Sequence, residues 1–408
     1  MFRSKLLCSS LLLGLSGPIV AQTLPFARTV IVPSGGTASA NGANLLTALS
    51  GITTASASNP WLLKLDPGVY DLGTNQLVPK SFVDVEGAGR GTTFITSAVQ
   101  GNGAPGATIL VQSGVQSEMR ELTIKNTSLG MGRGISINSS SFTLARVNVD
   151  VNTVDQSVAV EIINCSPVLK DMTVTIKTGR WGATGVALWG SSATLKNMTV
   201  QIASSNSDVT GVSIGGNSPT LDRLVVTIQS ALTAFGVVAQ GGSPLISNCE
   251  VSVSGGTSLN TGLFAKNVGS PHFRNCFVNV QGPEARGVDN QSPAMLEIRS
   301  STLRATSSGR AWGVFNEGGT VTVVNSEVHG VGTTSGVGSF NINGTSVTQF
   351  DQSTLGGNFY SASNFSSGDQ FYAGSSRLIG TVQSTGVGGY TCTSSYNASY
   401  VALGSTCQ

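Results

Sequence analysis

The chain has 408 residues, 39% of them hydrophobic and only 10% charged, with a formal net charge of +2. This balance supports a large buried core and excludes a disordered, highly charged chain. No basic cluster exceeds two adjacent charges, so a nucleic-acid footprint is excluded as well.

The N-terminus has the pattern of an export signal. Arg3 and Lys5 precede an apolar run from Leu6 to Leu15, and Ile19-Val20-Ala21 forms a small-residue cleavage site before Gln22. The run is too short to span a bilayer as a helix. Residues 1–21 are therefore expected to be removed, leaving a secreted, periplasmic or surface-exposed protein with no membrane span. Loss of Cys8 with the signal leaves Cys165, Cys249, Cys276, Cys392 and Cys407. An odd count in an oxidising compartment requires a free thiol or an intermolecular bond.

Residues 22–57 are expected to form an N-terminal strand and a capping helix. Thr29 to Val32 is a short strand, Pro33 to Gly42 a loop, and Asn44 to Ile52 has helical spacing with Asn44 as N-cap. A helix here would cover the open end of a strand stack, where backbone edges are otherwise exposed. Next come short strands separated by Gly and Pro turns: Trp61 to Leu65, Asp66-Pro67-Gly68-Val69-Tyr70, Phe82 to Gly87, and Thr92 to Ile95 after Gly89-Arg90-Gly91.

Between Met119 and Leu355 one pattern returns ten times, 25 to 27 residues apart. An apolar residue is followed by a two-residue gap and an alternating pair, as in Leu122/Ile124, Met198/Val200, Cys249/Val251 and Ser353/Leu355. A fixed period of this length marks stacked repeats. The second gap position holds Asn197, Asn248, Asn275 and Asn325, a residue type that tolerates the left-handed conformation of a sharp corner. After a variable loop, each coil starts a further strand at a glycine followed by an apolar residue, such as Gly134-Ile135, Gly185-Val186, Gly211-Val212 and Gly287-Val288; one coil has Ala159-Val160 instead. A third strand often opens with Ser-Pro, as at Ser218-Pro219. Three short strands per coil, with no helix-length run between them, exclude leucine-rich and α/β solenoids.

The succession from Pro60 to Asn126 resembles the first coils of the pectin-lyase-like family: apolar strand, Pro-Gly-x-Tyr turn, strand ending in Gly-x-Gly, then Thr-x-Ile. The asparagine corners resemble that family too. The resemblance implies an all-β fold, a right-handed single-stranded parallel β-helix with three short strands and about 25–26 residues per coil. It is expected to span 58–384, followed by a tail over 385–408. Cys392 and Cys407 flank that polar tail and are the expected disulfide, worth roughly 3 kcal/mol for a loop of that size. The tail itself resembles the ends of secreted bacterial proteins of no assigned activity. Cys249 and Cys276 share an inward position in adjacent coils and are expected as buried thiols, with a disulfide between them as the alternative.

In this family substrate lies along the outer face of one sheet, and the glycine-started strand is the candidate because the loop before it varies most. Its outward residues are Ser136, Glu161, Ala187, Ser213, Val238, Phe264, Asp289 and Phe315. Two residues further stand Asn138, Ile163, Trp189, Gly215, Gln240, Lys266, Gln291 and Glu317, while Arg133, Arg286 and Trp312 precede their glycines. Asp289 and Glu317 fit the roughly 5–10 Å separation of an acid/base pair, with Arg286 and Arg310 nearby as candidate catalytic partners; ordinary solvated polar residues are the alternative. Trp189, Phe264, Trp312 and Phe315 are candidate sugar-stacking residues, unless loops cover them.

The specific catalytic patterns of the family are missing. Gly68-Val69-Tyr70-Asp71-Leu72 lacks the final Glu of the pectin methylesterase motif, and Asp351-Gln352 occupies a corner. The polygalacturonase and pectate lyase signatures do not occur. His272 and His329 lie in different strands and do not form a metal pair; no metal site and no cofactor is expected. The leading expectation is a non-enzymatic β-helix that binds or scaffolds extracellular polysaccharide. A polysaccharide lyase or hydrolase with a non-standard site is the rival, and a purely structural surface protein the third reading.

Overall fold

The computed structural model describes residues 28–101, 106–153, 155–178, 181–204, 207–229, 232–291, 293–383 and 388–408; the expected export signal lies outside them. Strands of successive coils pair in parallel and in register, and the chain winds into a right-handed parallel β-helix. The alternation seen in the sequence explains the core. Ile124, Val149, Val174, Val200, Val226, Val251, Val278, Leu303, Val328 and Leu355 stand one above another. All are fully buried. Burying each such side chain contributes roughly 1.5–3 kcal/mol.

The corners before these residues form a second column. Asn197, Asn248, Asn275 and Asn325 have φ of 53°, 53°, 53° and 49°, as expected of the left-handed region. The same conformation recurs where the sequence offers no asparagine, at Arg146, Arg223 and Gln352 (φ 53°, 54° and 49°). Side chains bond from coil to coil along this edge. Asn197 Nδ2 donates to Asp171 Oδ1 at 2.7 Å, and Arg223 donates to Asn197.

The recurrent glycine has a steric cause. A β-carbon at Gly211 would collide with the Val226 side chain and the Gly236 carbonyl oxygen, because the glycine strand crosses closest to the facing strand there. Equivalent collisions await a side chain at Gly185, Gly236 and Gly262.

Toward the C-terminus the inward columns turn polar. The backbone N–H of Ser301, Ser326 and Ser353 each donates to the hydroxyl of the next serine, Ser326, Ser353 and Ser376, at 3.1 Å. In the glycine strands, Asn290, Asn316, Asn341 and Asn364 continue the inward column of Ile162, Leu188 and Ile214. Their amides bond in series at 2.9, 3.3 and 2.8 Å. Buried polar side chains are tolerated here because each finds its partner in the neighbouring coil.

Two expectations are corrected. The helix runs Ala38–Gly51 and not from Asn44: Thr37 is the N-cap, accepting from the Ala40 N–H at 3.2 Å. Gly42 lies inside the helix, where a side chain would strike the backbone of Asp71. Cys249 and Cys276 are joined as a disulfide and are not free thiols, with Cα atoms 4.5 Å apart. Stacking of adjacent coils brings inward Cα atoms to about the 4.8 Å strand spacing, within disulfide reach. Cys392 and Cys407 form the expected bond, and Cys165 is free. The start of the tail, Gly389–Thr393, pairs with Gln370–Gly374 and so continues the stack. Among the described residues no helix is long and apolar enough to cross a membrane.

Replacing Cys249 and Cys276 together by alanine should lower the unfolding free energy by about 3 to 4 kcal/mol, the chain-entropy value for a loop of this length, as read from urea titration. Gly211→Val should cost about 1–3 kcal/mol through overpacking. Ala159→Gly, at a coil without the glycine, should change the thermal midpoint little.

Candidate functional site

The outer face of the glycine strands is built by register. Ser136, Glu161, Ala187, Ser213, Val238, Phe264, Asp289 and Phe315 form one column, continued by Phe340. Asn138, Ile163, Trp189, Gly215, Gln240 and Lys266 form a second, and Gln291 pairs with Glu317 further along.

Asp289 stands between Phe264 and Phe315 in its column and is 1% exposed. Arg286, three residues earlier, folds over it. One guanidinium nitrogen donates to Asp289 Oδ2 at 2.7 Å and the other to Glu284 Oε1 at 2.6 Å. The guanidinium also lies 3.8 Å from the Phe315 ring centroid and 5.3 Å from that of Trp312, the geometry of a cation–π lid. Asp289 Oδ1 and Arg286 Nε are buried and make no hydrogen bond. Burial pushes the Asp289 carboxyl up to about 6; Arg286 opposes the shift, and the charges of Glu317 and Glu284 add to it.

The four residues expected around a catalytic centre therefore separate. Arg286 and Asp289 are in contact. Glu317 is half-buried, acts on Asp289 only through its charge, and accepts from Asn343 Nδ2 at 3.1 Å. Arg310 is exposed on the strand opposite Glu284. Asp289 is closed off and does not face a substrate as one of two open carboxylates would.

The aromatic candidates divide as well. Trp312 and Phe315 pack edge-on at 5.3 Å, Phe315 stacks on Phe340 at 5.6 Å, and both are less than a tenth exposed in a cluster with Val337 and Tyr360. Phe264 is equally covered and packs on Phe235 at 5.4 Å. The faces a sugar would need are filled by neighbouring side chains of the sheet itself. Trp189 differs: it is 39% exposed, and its ring lies across Gly215 of the next coil, where a β-carbon would collide with it.

Sequence reasoning placed Arg133 and Glu161 on this face without joining them. Arg133 Nε lies 3.1 Å from Glu161 Oε2, and Ser136 Oγ donates to the same oxygen at 3.3 Å. The signal was a pre-glycine arginine with a carboxylate at the outward position, the Arg286–Asp289 arrangement with its acid moved to the next coil. His272 and His329 bond separately to Glu297 and Glu327, at 2.5 and 2.7 Å. Among the described residues no three His, Cys, Asp or Glu side chains gather as a metal site would need.

A carboxyl whose folded pKa is raised favours the folded state when protonated. That contribution is full below 3.8 and is lost as pH rises to about 6. Wild-type stability should therefore fall across this window relative to Asp289→Asn, a difference measurable as urea midpoints at about pH 4 and about pH 7.

Comparison with known protein families and with curated proteins finds no match. Among solved structures, the A-module of mannuronan C-5 epimerase AlgE6 from Azotobacter vinelandii is similar over 88% of this chain and 95% of its own, at 17% identity and a TM-score of 0.50. The AlgE4 A-module of the same organism covers 86% and 96%, at 13% identity and a TM-score of 0.43. Pectate lyase Pel9A covers 92% and 82%, at 13% identity and a TM-score of 0.37. At such identity the likeness concerns the fold: the chain shares the right-handed parallel β-helix of the AlgE6 A-module.

Proposed function

We propose that the protein is a secreted β-helix that binds extracellular polysaccharide along the outer face of its glycine strands, without cleaving it. The observation that carries this reading is Trp189. Its indole is seated on the side-chain-free backbone of Gly215 and remains 39% exposed. A rigid, supported aromatic face is the surface on which the C–H face of a pyranose stacks, and it loses little conformational entropy on binding. The parallel strands lie side by side at about 4.8 Å per coil, so the face around Trp189 is long and continuous, which suits an extended polymer. Two disulfides fit an oxidising, extracellular setting. The fold shared with the AlgE6 A-module, part of a mannuronan-modifying enzyme by its name, is compatible with a polysaccharide partner.

The rival reading is a lyase or hydrolase acting through Arg286, Asp289, Arg310 and Glu317. The burial of Asp289 beneath Arg286 speaks against it.

Incubation of the mature protein with a polysaccharide panel should give binding and no product. New reducing ends or unsaturated sugars in the supernatant would replace the binding reading with the enzymatic one, and absence of any binding would leave a structural surface protein. Trp189→Ala should weaken glycan binding about tenfold or more, which corresponds to about 1.4 kcal/mol, with the thermal midpoint unchanged.

A further inference from the structure

One coil before Trp189 the same face opens into a cleft of about 570 Å³. Arg133 and Glu161, both half-buried, and the exposed Asn138 line it together with the apolar Leu110, Met131 and Ile163. Ile163 pairs directly with Trp189 in the next strand, and Asn138 with Ile163 in the strand before. The cleft and the indole are thus neighbouring stations, and from Leu110 to the Trp189 strand the face spans three strand spacings, roughly 14 Å. We infer that this cleft is a second sugar subsite, continuous with Trp189 and selective for an uncharged pyranose over a uronic acid. The inference rests on the polysaccharide-binding reading and adds the class of sugar.

Charge and hydrogen-bonding capacity both support it. Arg133 and Glu161 are the charged residues of the lining, and they oppose each other at 3.1 Å. The guanidinium is further committed by a 3.2 Å bond to the Gly101 carbonyl oxygen. A uronate carboxylate entering here would meet a cation already matched and a like charge beside it, which is unfavourable. A hydroxyl-rich neutral ring meets better partners. Arg133 and Ser136 approach one oxygen of Glu161, and a carboxylate has about four acceptor sites. Vicinal sugar hydroxyls can donate to the remainder. The exposed Asn138 amide offers both donor and acceptor, while the apolar walls receive the C–H faces. Apolar walls with a few converging polar groups are the usual make-up of a small-ligand site.

The test is calorimetric titration of the mature protein with neutral hexasaccharides (cello-, laminari-, xylo- and manno-series) and with oligogalacturonate and oligomannuronate. Wild type should bind a neutral series at least about tenfold more tightly than either uronate. Glu161→Gln, which leaves Arg133 unopposed, should lose neutral affinity and gain uronate affinity. Asn138→Ala, at an exposed position outside the ion pair, should weaken neutral binding several-fold with an unchanged thermal midpoint, so the outcome does not depend on Glu161→Gln folding normally. Uronate preference in wild type, or wild-type affinities in Asn138→Ala while Trp189→Ala binds weakly, would overturn the cleft assignment and leave the indole platform standing. Failure of wild type to bind any of these sugars, or polysaccharides of the same classes, would overturn both.

Discussion

In-register parallel stacking is the constraint on which the rest of this molecule depends. Each strand meets its hydrogen-bond partners in the coils before and after it, so every side chain sits against its equivalents one coil away. Apolar residues stacked this way form the core at no cost in polar groups. Polar residues enter the inward columns in series that bond from coil to coil: Ser301, Ser326, Ser353 and Ser376 form one run, and Asn290, Asn316, Asn341 and Asn364 another. Strained corners persist for the same reason. A left-handed non-glycine residue costs on the order of 1–3 kcal/mol, and the stacked coils hold even Arg146 and Arg223 there.

The same register builds two versions of one polar device on the outer face. In both, an arginine just before the inward-facing position leans over an outward carboxylate. At Arg286 and Asp289, phenylalanines in the coils on either side enclose the acid, and its carboxyl rises to about 6. At Arg133 and Glu161 the flanking residues are Ser136 and Ala187, which are small, and the pair lines an open cleft. The size of the neighbouring outward side chains decides whether the device is a structural plug or a surface a ligand can reach.

Much of this was legible in the sequence. The period, the inward columns and the corner asparagines follow from spacing alone, and the placement of Glu161, Trp189, Asp289 and Glu317 on one face follows from the glycine that opens each strand. Accessibility was not legible. Phe264, Trp312 and Phe315 point outward as expected, yet they cover one another and Asp289, and such packing depends on rotamers that spacing does not encode. The Arg133–Glu161 pair escaped because its members are a full coil apart. The asparagine series was readable in retrospect, since Asn290, Asn316 and Asn341 fall at one offset from Gly287, Gly313 and Gly338. The helix start was masked by Gly42, which looks like a loop residue until the close approach to Asp71 is seen.

The Cys249–Cys276 bond has a mechanical consequence. In a solenoid each coil touches only its neighbours, so opening can begin at an end and travel inward one coil at a time. Cys392–Cys407 pins the chain where one such front would start. The bond between Cys249 and Cys276 crosses two coils in the interior, beside the point where cysteine gives way to serine at the same position of the coil. An unzipping front that reaches those coils can separate their strands but cannot part them. The staple therefore divides the rod into two stretches that can fray independently, and the stretch carrying Trp189 and the Arg133–Glu161 cleft is shielded from events that begin at the C-terminal end.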